Sequence, residues 1–300
     1  MKKHLIRIIT VLSLALICIL GIFVCTANAI NLDADVVKIY STSDFKAFSD
    51  YVNSGHNMGG QTIKLYSDIG PVYERVSFST GIFFSGIFDG QGHTIFVDIT
   101  GDSDYTALFG YLKYGTIKNL IVDGQVKSSK NSYYVGGIVA EMNFESKIIN
   151  CTNKATVTFG PKSHYIGGVV GYLHNSKVYN CANYGKISGG SYCNGVVGRS
   201  WIGSEVRNVF SNPCNPADNT GEGIIYDTYT NNTQDVVTAL NANLPEGALP
   251  WKMINGVVSI DYSSVKAGTL LSTGNIAIIV AIIAAAAVAF FVIKKKKMTA

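Results

Sequence analysis

The chain has 300 residues, of which only 15% are charged, while 31 glycines and 17 tyrosines favour strands and tight turns. Its formal charge of +4 depends on seven cations at the two ends: Lys2, Lys3, Arg7 and Lys294 to Lys297. Subtracting these seven from the 24 basic residues leaves 17 against 20 acidic residues, a balance of −3. This composition favours an all-β protein, and without a basic stripe it excludes nucleic acid as an expected partner.

The N-terminal segment has the order of a secretory signal peptide. Three cations precede an apolar run from Ile8 to Val24, which closes on the small residues Ala27-Asn28-Ala29. Residues 1–29 are therefore predicted to be a signal peptide that is cleaved after Ala29. A retained anchor or a lipid attached to Cys25 is the alternative, although the bulky apolar residues before that cysteine do not suit lipoprotein processing.

The C-terminal segment predicts a single transmembrane helix over residues 276–293. This uncharged run spans about 27 Å as a helix, which is enough to cross a hydrocarbon core. Four lysines follow directly, and by the positive-inside rule they place a tail of residues 294–300 in the cytoplasm. The folded part is then extracellular. A buried core helix is the alternative reading of the same run.

A short motif just before this span resembles the Leu-Pro-x-Thr-Gly sorting signal of Gram-positive surface proteins. It reads Leu270-Leu271-Ser272-Thr273-Gly274, with Leu271 where sortase recognition uses proline. The resemblance implies attachment to the cell wall, and the missing proline argues against it. We expect plain membrane anchoring, with residues 261–275 as a stalk.

Residues 30–60 predict an N-terminal helical cap. Asp44 lies at a helix start, and Phe45, Phe48 and Val52 follow at helical spacing, which gives the helix one apolar face. Alternating strand residues begin soon afterwards, so the helix is expected to cover the exposed first edge of a β-structure.

Residues 61–212 repeat one block. A Gly-Gly strand and an Asn-Cys-x-Asn corner occur between Tyr134 and Asn153 and return between Tyr165 and Asn183. Two sets of markers follow the period: Gly110, Ala140, Gly171 and Gly198, which are 30, 31 and 27 residues apart, and Asn119, Asn150, Asn180 and Asn208, which are 31, 30 and 28 apart. A period near thirty with strand residues and glycine turns predicts a β-solenoid, in which each coil buries its apolar side against the next.

Stacked coils about 4.8 Å apart turn each position of the repeat into a column of side chains. The four marker asparagines, Asn119, Asn150, Asn180 and Asn208, are expected to form a structural ladder at a corner, where their amides hydrogen-bond to each other and to turn backbone. Cys151 and Cys181 occupy one column of the same repeat and are expected to point inward as small apolar residues. A disulfide between them is the alternative, because neighbouring coils bring the two Cα atoms within bridging distance.

Together, these strands and corners resemble the bacterial surface proteins that carry GLUG-type repeats. The motifs are Gly-Gly-Val-Val-Gly, Asn-Cys-x-Asn and the Phe-Asp-Gly-x-Gly-His-Thr-Ile segment that begins at Phe88. The resemblance covers about Asp44 to Ser211, with an echo near Trp251. It implies a right-handed parallel β-helix and an adhesive or surface-binding role.

After Asn212 the period fades. Asp235 to Leu244 predicts one short helix and Trp251 to Ile260 one or two strands, so residues 213–260 are interpreted as a C-terminal cap. Cys193 and Cys214 are the two remaining cysteines of the exported part, and whether they pair stays undetermined from the sequence.

Candidate catalytic residues are few. His93 follows the Asp-Gly-x-Gly motif but is interpreted as a corner residue that satisfies turn backbone, and Asp98, Asp102 and Asp104 are interpreted as a solvated turn. Cysteine and histidine spacings match no metal site. We therefore expect no catalytic, metal or cofactor site.

Tyrosines spread through the coils offer a positive indication. The candidate binding surface consists of Tyr133, Tyr134, Tyr165, Tyr172 and Tyr184. Exposed aromatic ladders stack on sugar faces or apolar patches of a partner, although tyrosine also favours strands for structural reasons. The sequence thus favours a non-catalytic surface-binding module whose partner is a glycan, a cell-wall component or a host surface protein. A polysaccharide lyase or hydrolase and a purely structural spacer are the alternatives.

Overall fold

The computed structural model describes residues 30–128, 132–189, 193–211, 224–225 and 228–270. The chain divides into two units, Met1–Asn31 and Leu32–Ala300, and the fold is that of the second unit. The predicted signal peptide, transmembrane helix and cytoplasmic tail lie outside the described residues. Within those residues, none of the three helices has both the length and the apolar content needed to cross a bilayer.

The fold is an all-β, right-handed parallel β-solenoid of about six turns. Each full coil passes through four parallel sheets before it returns to the first. Sheet I contains β1 (Val36–Ile39), β2 (Thr62–Leu65), β4 (Ile87–Asp89), β8 (Thr116–Lys118), β12 (Lys147–Ile149), β17 (Lys177–Tyr179), β21 (Glu205–Arg207) and β23 (Ile224–Ile225). Sheet II contains β3 (Ile69–Val72), β5 (Thr94–Gly101), β9 (Ile121–Ser128), β13 (Thr152–Asn153), β14 (Thr156–Phe159), β18 (Ala182–Asn183), β19 (Ile187–Gly189), β22 (Val209–Ser211) and β24 (Thr228–Tyr229).

Two smaller sheets complete the coil. Sheet III contains β6 (Tyr105–Thr106), β10 (Tyr134–Gly136) and β15 (Tyr165–Gly167), and sheet IV contains β7 (Phe109–Lys113), β11 (Val139–Asn143), β16 (Val170–Leu173) and β20 (Val197–Ser200). Strands of successive coils pair in register, so that Ile148 lies between Ile117 and Val178. The predicted period and the solenoid are therefore confirmed.

Helix α1 (Thr42–Asn53) covers the N-terminal end of the core. Its N-cap is Ser41, three residues before the predicted start at Asp44, and it begins with a capping box in which the Asp44 carboxylate accepts from the Ser41 backbone. Phe45 and Phe48 join a group of buried phenylalanine rings with centroids 5.2 to 6.3 Å apart. Strand β1 already pairs with β2, so the solenoid starts at Val36, inside the segment predicted as a cap.

The two blocks of the repeat fit each other across the coil. Asn153 and Asn183 are fully buried, and Asn153 Nδ2 donates to Asn183 Oδ1 at 2.8 Å and to the backbone of Ala155. The second glycine of each Gly-Gly strand faces this amide, because a Cβ at Gly137 would collide with Asn153 and one at Gly168 with Asn183. The Gly-Gly strand thus makes the room that the second asparagine of Asn-Cys-x-Asn fills.

The first asparagine of the corner forms a ladder outside the core. Asn119, Asn150, Asn180 and Asn208 turn the chain from sheet I to sheet II with φ between 52° and 56°. Each amide donates to the carbonyl oxygen of the one before it at 2.7 to 3.0 Å, and Asn119 donates to the carboxylate of Asp89. Asparagine suits this corner because its short polar side chain tolerates the left-handed backbone.

The C-terminal segment, predicted as a cap over residues 213–260, lies along the side of the solenoid in its described part. It contains α2 (Gln234–Ala242), the antiparallel pair β25 (Trp251–Ile254) and β26 (Val257–Ile260), and α3 (Ser263–Leu270). The asparagine ladder holds it: Asn150 bonds the backbone of Gly247 and Leu249, and Asn180 bonds Leu249 and the indole of Trp251. We call residues 229–270 the lateral clasp.

The clasp also corrects the predicted stalk, which was to begin at residue 261. Tyr262 is buried, and its hydroxyl donates to the Asn150 backbone at 2.8 Å and contacts Thr152 Oγ1 at 3.0 Å. A Cβ at Gly92 would touch Tyr262, Val265 and Lys266, so this glycine lets α3 approach. The first residues of the stalk therefore belong to the folded unit.

The cysteines separate into two kinds. Cys151 and Cys181 are buried and free, so the alternative disulfide between them is absent. Cys193 is disulfide-bonded, and because the other two described cysteines are free, its partner lies outside the described residues.

We predict that the ladder stabilises the fold beyond what the corner backbone requires. Asn180→Ala removes buried hydrogen bonds and leaves their partners unsatisfied, so it should lower the free energy of unfolding by on the order of 3 kcal/mol more than Asn175→Ala. Asn175 is the matched control because it is exposed and has the same left-handed backbone (φ 44°). Urea titration of the full-length variants measures the difference, and equal losses would contradict a role for the ladder.

Candidate functional site

A column of tyrosines runs down the outer surface of sheet III. Tyr105, Tyr134 and Tyr165 are in register on successive coils, and their rings stack with centroids 5.2 and 5.6 Å apart. All three are half-buried, so each exposes part of its ring. The column exists because the tyrosines recur at one position of the repeat.

A second column lies beside it on sheet IV. Its members on four successive coils are Tyr111, Glu141, Tyr172 and Arg199. Tyr172 bridges the columns, with its ring centroid 5.4 Å from that of Tyr134 and 5.2 Å from that of Tyr165. The two columns together are the tyrosine face.

The corner between sheets III and IV brings the columns together. Gly136 ends β10, and any Cβ there would collide with the carbonyl oxygen of Val139. The turn between the two strands is therefore tighter than other residues allow, which sets Tyr134 and Glu141 on neighbouring strands of one surface. Glycine at this position is a requirement of the face as well as of the fold.

Glu141 is the buried carboxyl of the face, only 6% exposed. Burial raises its pKa to about 7, although hydrogen bonds from Tyr105 and from Asn143, whose Nδ2 lies 2.6 Å from Oε1, oppose the shift. Burial is the main cause that raises the pKa of Tyr105 to about 12, and the charge of Glu141 is the second. The neutral form of the Glu141 carboxyl therefore persists to a higher pH than in an exposed glutamate.

Arg199 closes the face at its last coil. Its guanidinium carbon lies 5.4 Å from the ring centroid of Tyr165 and 5.1 Å from that of Trp201. A guanidinium between two aromatic rings gains cation–π attraction and keeps its planar donors in place.

More aromatic groups extend the face at its edges. Tyr133 is 48% exposed and stacks on His164 at 4.7 Å. At the other edge Lys113 lies over Phe144, 4.7 Å from the ring centroid, with Tyr114 and Phe83 also within 6 Å. These rings lie beside polar groups, an arrangement that suits a ligand with both apolar faces and hydroxyl or charged groups.

The structure brings together four of the five tyrosines predicted as a binding surface: Tyr133, Tyr134, Tyr165 and Tyr172. Tyr184 lies elsewhere, where its hydroxyl bonds the backbone of Val258 in the clasp and its ring packs near Phe210. Burial raises the pKa of this phenol. Tyr184 therefore fixes the clasp and is not part of the face.

Sequence reasoning missed Tyr105, Tyr111 and the roles of Glu141 and Arg199. The repeat held a signal for Tyr105, because Asp104-Tyr105 aligns with Tyr133-Tyr134. Nothing in the sequence indicates the burial of Glu141, which depends on rings from three coils.

Other candidate residues form no comparable site. His93 Nδ1 lies 3.2 Å from Asp68, and burial lowers the pKa of this imidazole. Asp98 accepts from Gln125 and Asp102 pairs with Arg75, so these carboxylates do not converge. In the described ranges, no group of three or more histidine, cysteine, aspartate or glutamate side chains could hold a metal ion. A cleft of about 530 Å³ lies under the clasp, lined by Tyr184 and Tyr262 among others.

No family model matches the chain, and no curated protein matches it. Among solved structures, it is similar to the crystal structure of a "putative immunoglobulin A1 protease" from Bacteroides ovatus. That similarity has 17% sequence identity and a TM-score of 0.49, and it covers 76% of this chain and 92% of the other. A similarity of this size carries no argument about activity or ligand.

We predict that Glu141 makes stability depend on pH. Because its carboxyl has a pKa of about 7 when folded against an ordinary 4.5, the folded chain binds the proton more tightly, and stability falls as pH rises between these values. Relative to Glu141→Gln, the wild type should lose about 2 to 3 kcal/mol between pH 5 and pH 8. Urea titration at both pH values measures this.

The control is Glu145→Gln, which alters an exposed glutamate near the same strand. It should leave the pH dependence unchanged. A difference between wild type and Glu141→Gln that stayed constant from pH 5 to pH 8 would show that the carboxyl is not held neutral.

Proposed function

We propose that the chain is a non-catalytic binding module on the outer face of a bacterial membrane, and that its tyrosine face holds an extended glycan. The observation that carries the proposal is the stacked column Tyr105, Tyr134 and Tyr165 beside Tyr172. Stacked half-exposed rings offer apolar surface to the faces of sugar rings, while the phenol hydroxyls at their rims can bond sugar hydroxyls.

The repeat of the solenoid suits a polymer. Coils advance by about 4.8 Å, which is close to the advance of an extended pyranose chain per sugar. From Tyr111 to Arg199 the face covers three such steps, about 14 Å. A glycan along the solenoid axis would therefore meet a similar aromatic group at each sugar.

Display at the surface is supported by the sequence alone. The signal peptide, the transmembrane helix and the lysine tail together favour an extracellular folded part with a single membrane anchor. The resemblance to GLUG-type repeat proteins favours the same role, with cell-wall glycans or the glycans of host surface proteins as partners.

One observation favours a second function, a polysaccharide hydrolase or lyase. A carboxyl with a pKa of about 7 can serve as a general acid near neutral pH. Hydrolysis of a glycoside ordinarily uses a second carboxylate on the other side of the bond, and no second carboxylate lies in the two columns of the tyrosine face. We therefore propose binding without turnover.

We predict that Tyr134→Ala weakens glycan binding by about tenfold, because it removes the central ring of the column. The measurement is binding of the full-length protein to a panel of immobilised neutral and acidic polysaccharides. Tyr73→Ala is the matched control, since Tyr73 is a tyrosine 61% exposed outside the face.

Each outcome separates the alternatives. Unchanged binding in Tyr134→Ala, or no binding to any member of the panel, would overturn the proposal and favour a structural spacer. Release of reducing or unsaturated ends by the wild type, lost in Glu141→Gln, would establish catalysis instead.

A further inference from the structure

We infer that the tyrosine face selects acidic glycans and that Arg199 binds their anionic groups, with Lys113 as a second cation at the opposite end. This inference rests on the proposed function and specifies its ligand. It is argued from the contacts of these two cations, which lie against aromatic rings and form no ion pair within the described part of the chain.

Arg199 lacks the carboxylate partner that the other described arginines have. Arg75 pairs with Asp102 and Arg207 pairs with Glu205, whereas no carboxylate in the described part of the chain pairs with Arg199. Its guanidinium instead contacts the rings of Tyr165 and Trp201, and the residue is half-buried. The rings restrict the guanidinium in position while its N–H donors stay available.

A guanidinium held in this way is suited to an anion. Its donors form a planar fork that matches a carboxylate in two parallel hydrogen bonds, and it also binds sulfate. A free arginine side chain loses conformational entropy when it binds a ligand. The two rings already restrict Arg199 in the unbound protein, so less entropy is lost at binding. The ligand group that fits is therefore an anionic substituent of a sugar.

Register places this group beside the aromatic surface. Arg199 is paired with Tyr172, so the two side chains are one coil apart, about 5 Å. A sugar stacked on Tyr172 would therefore present a substituent to Arg199 without leaving the face.

Lys113 repeats the arrangement at the first coil of sheet IV. Its ammonium lies over the ring of Phe144, and no carboxylate among the described residues forms an ion pair with it. Lys113 pairs with Asn143 and Arg199 lies two coils beyond Glu141, so the two cations are three coils apart, about 14 Å along the axis. They are also offset by two residues along the strand, because Arg199 lies in the column of Tyr111. An acidic chain of about four sugars would reach both.

The test compares an octameric oligogalacturonide with its methyl ester, which has the same backbone without the charges, and with a sulfated chondroitin oligosaccharide of equal length. Binding of the full-length protein is measured by calorimetry. We expect the oligogalacturonide to bind more tightly than its methyl ester. Arg199→Gln should lower the affinity for the oligogalacturonide by about tenfold or more and leave the affinity for the ester unchanged. Arg199→Lys, which keeps the charge without the fork, should lie between.

The outcomes distinguish this inference from the proposed function. If Arg199→Gln lowers the affinity for the oligogalacturonide and for its ester equally, or lowers neither, the inferred selection of acidic glycans is wrong. The proposed function still stands in that case if Tyr134→Ala weakens the binding of both. If none of the three oligosaccharides binds while a polysaccharide of the panel does, the inference fails and the proposed function stands. If Tyr134→Ala leaves glycan binding unchanged, the proposed function fails and the inference with it.

The third oligosaccharide identifies the anionic group. Tighter binding of the oligogalacturonide that depends on Arg199 assigns a carboxylated glycan. Because chondroitin also carries uronate carboxylates, an Arg199-dependent preference for it assigns a sulfated glycan where removal of its sulfates abolishes that preference. Arg207→Gln is the control, since this arginine is outside the face and is paired with Glu205. Equal losses in Arg207→Gln and Arg199→Gln would indicate only general charge attraction and overturn the inference.

Discussion

The asparagine ladder is the constraint on which the rest of the structure depends. At each turn from sheet I to sheet II, an asparagine in the left-handed conformation bonds the asparagine of the coil before, and the ladder ends on the carboxylate of Asp89. A coil that slipped by one residue would lose these bonds and would also reverse the faces of its strands. The same amides hold the clasp, since Asn150 and Asn180 bond Gly247, Leu249 and Trp251. One set of side chains thus fixes the register of the coils and attaches a segment 69 to 99 residues away in the chain.

Register converts a repeat in the sequence into a surface. Tyr105, Tyr134 and Tyr165 stack because their strands cannot shift relative to one another, and Glu141 lies against Tyr105 for the same reason. Inside the coil the columns are uniform, as in Asn153 and Asn183 facing Gly137 and Gly168. Outside, the sheet IV column changes at every coil from Tyr111 to Glu141 to Tyr172 to Arg199. The interior therefore specifies the rod, and the outer columns are free to specify a ligand.

The parts of the structure that repeat could be predicted from the sequence, and the parts that do not repeat could not. The ladder, the inward cysteines and most of the tyrosine column follow from a period near thirty, because parallel stacking places equivalent residues next to each other. The clasp has no such period. Trp251 contacts Asn180 and Tyr262 contacts Thr152, and each contact joins segments that are distant in the chain. Spacing in the sequence therefore predicts neither the side of the solenoid that the clasp covers nor the position of Tyr184 outside the face. The environment of Glu141 likewise depends on rings from coils before and after it.

Glu141 and Arg199 are the two charged residues of the columns, and neither forms an ion pair within the described part of the chain. Burying a carboxyl until its pKa reaches about 7 makes the folded state less stable at neutral pH than a neutral side chain would. Holding an arginine between two rings without a carboxylate forgoes the ion pairs that Arg75 and Arg207 make. Groups that cost stability are expected at sites where a ligand interacts with them. Both lie in one column, on either side of Tyr172, which is where the stacked rings leave the most aromatic surface for a sugar.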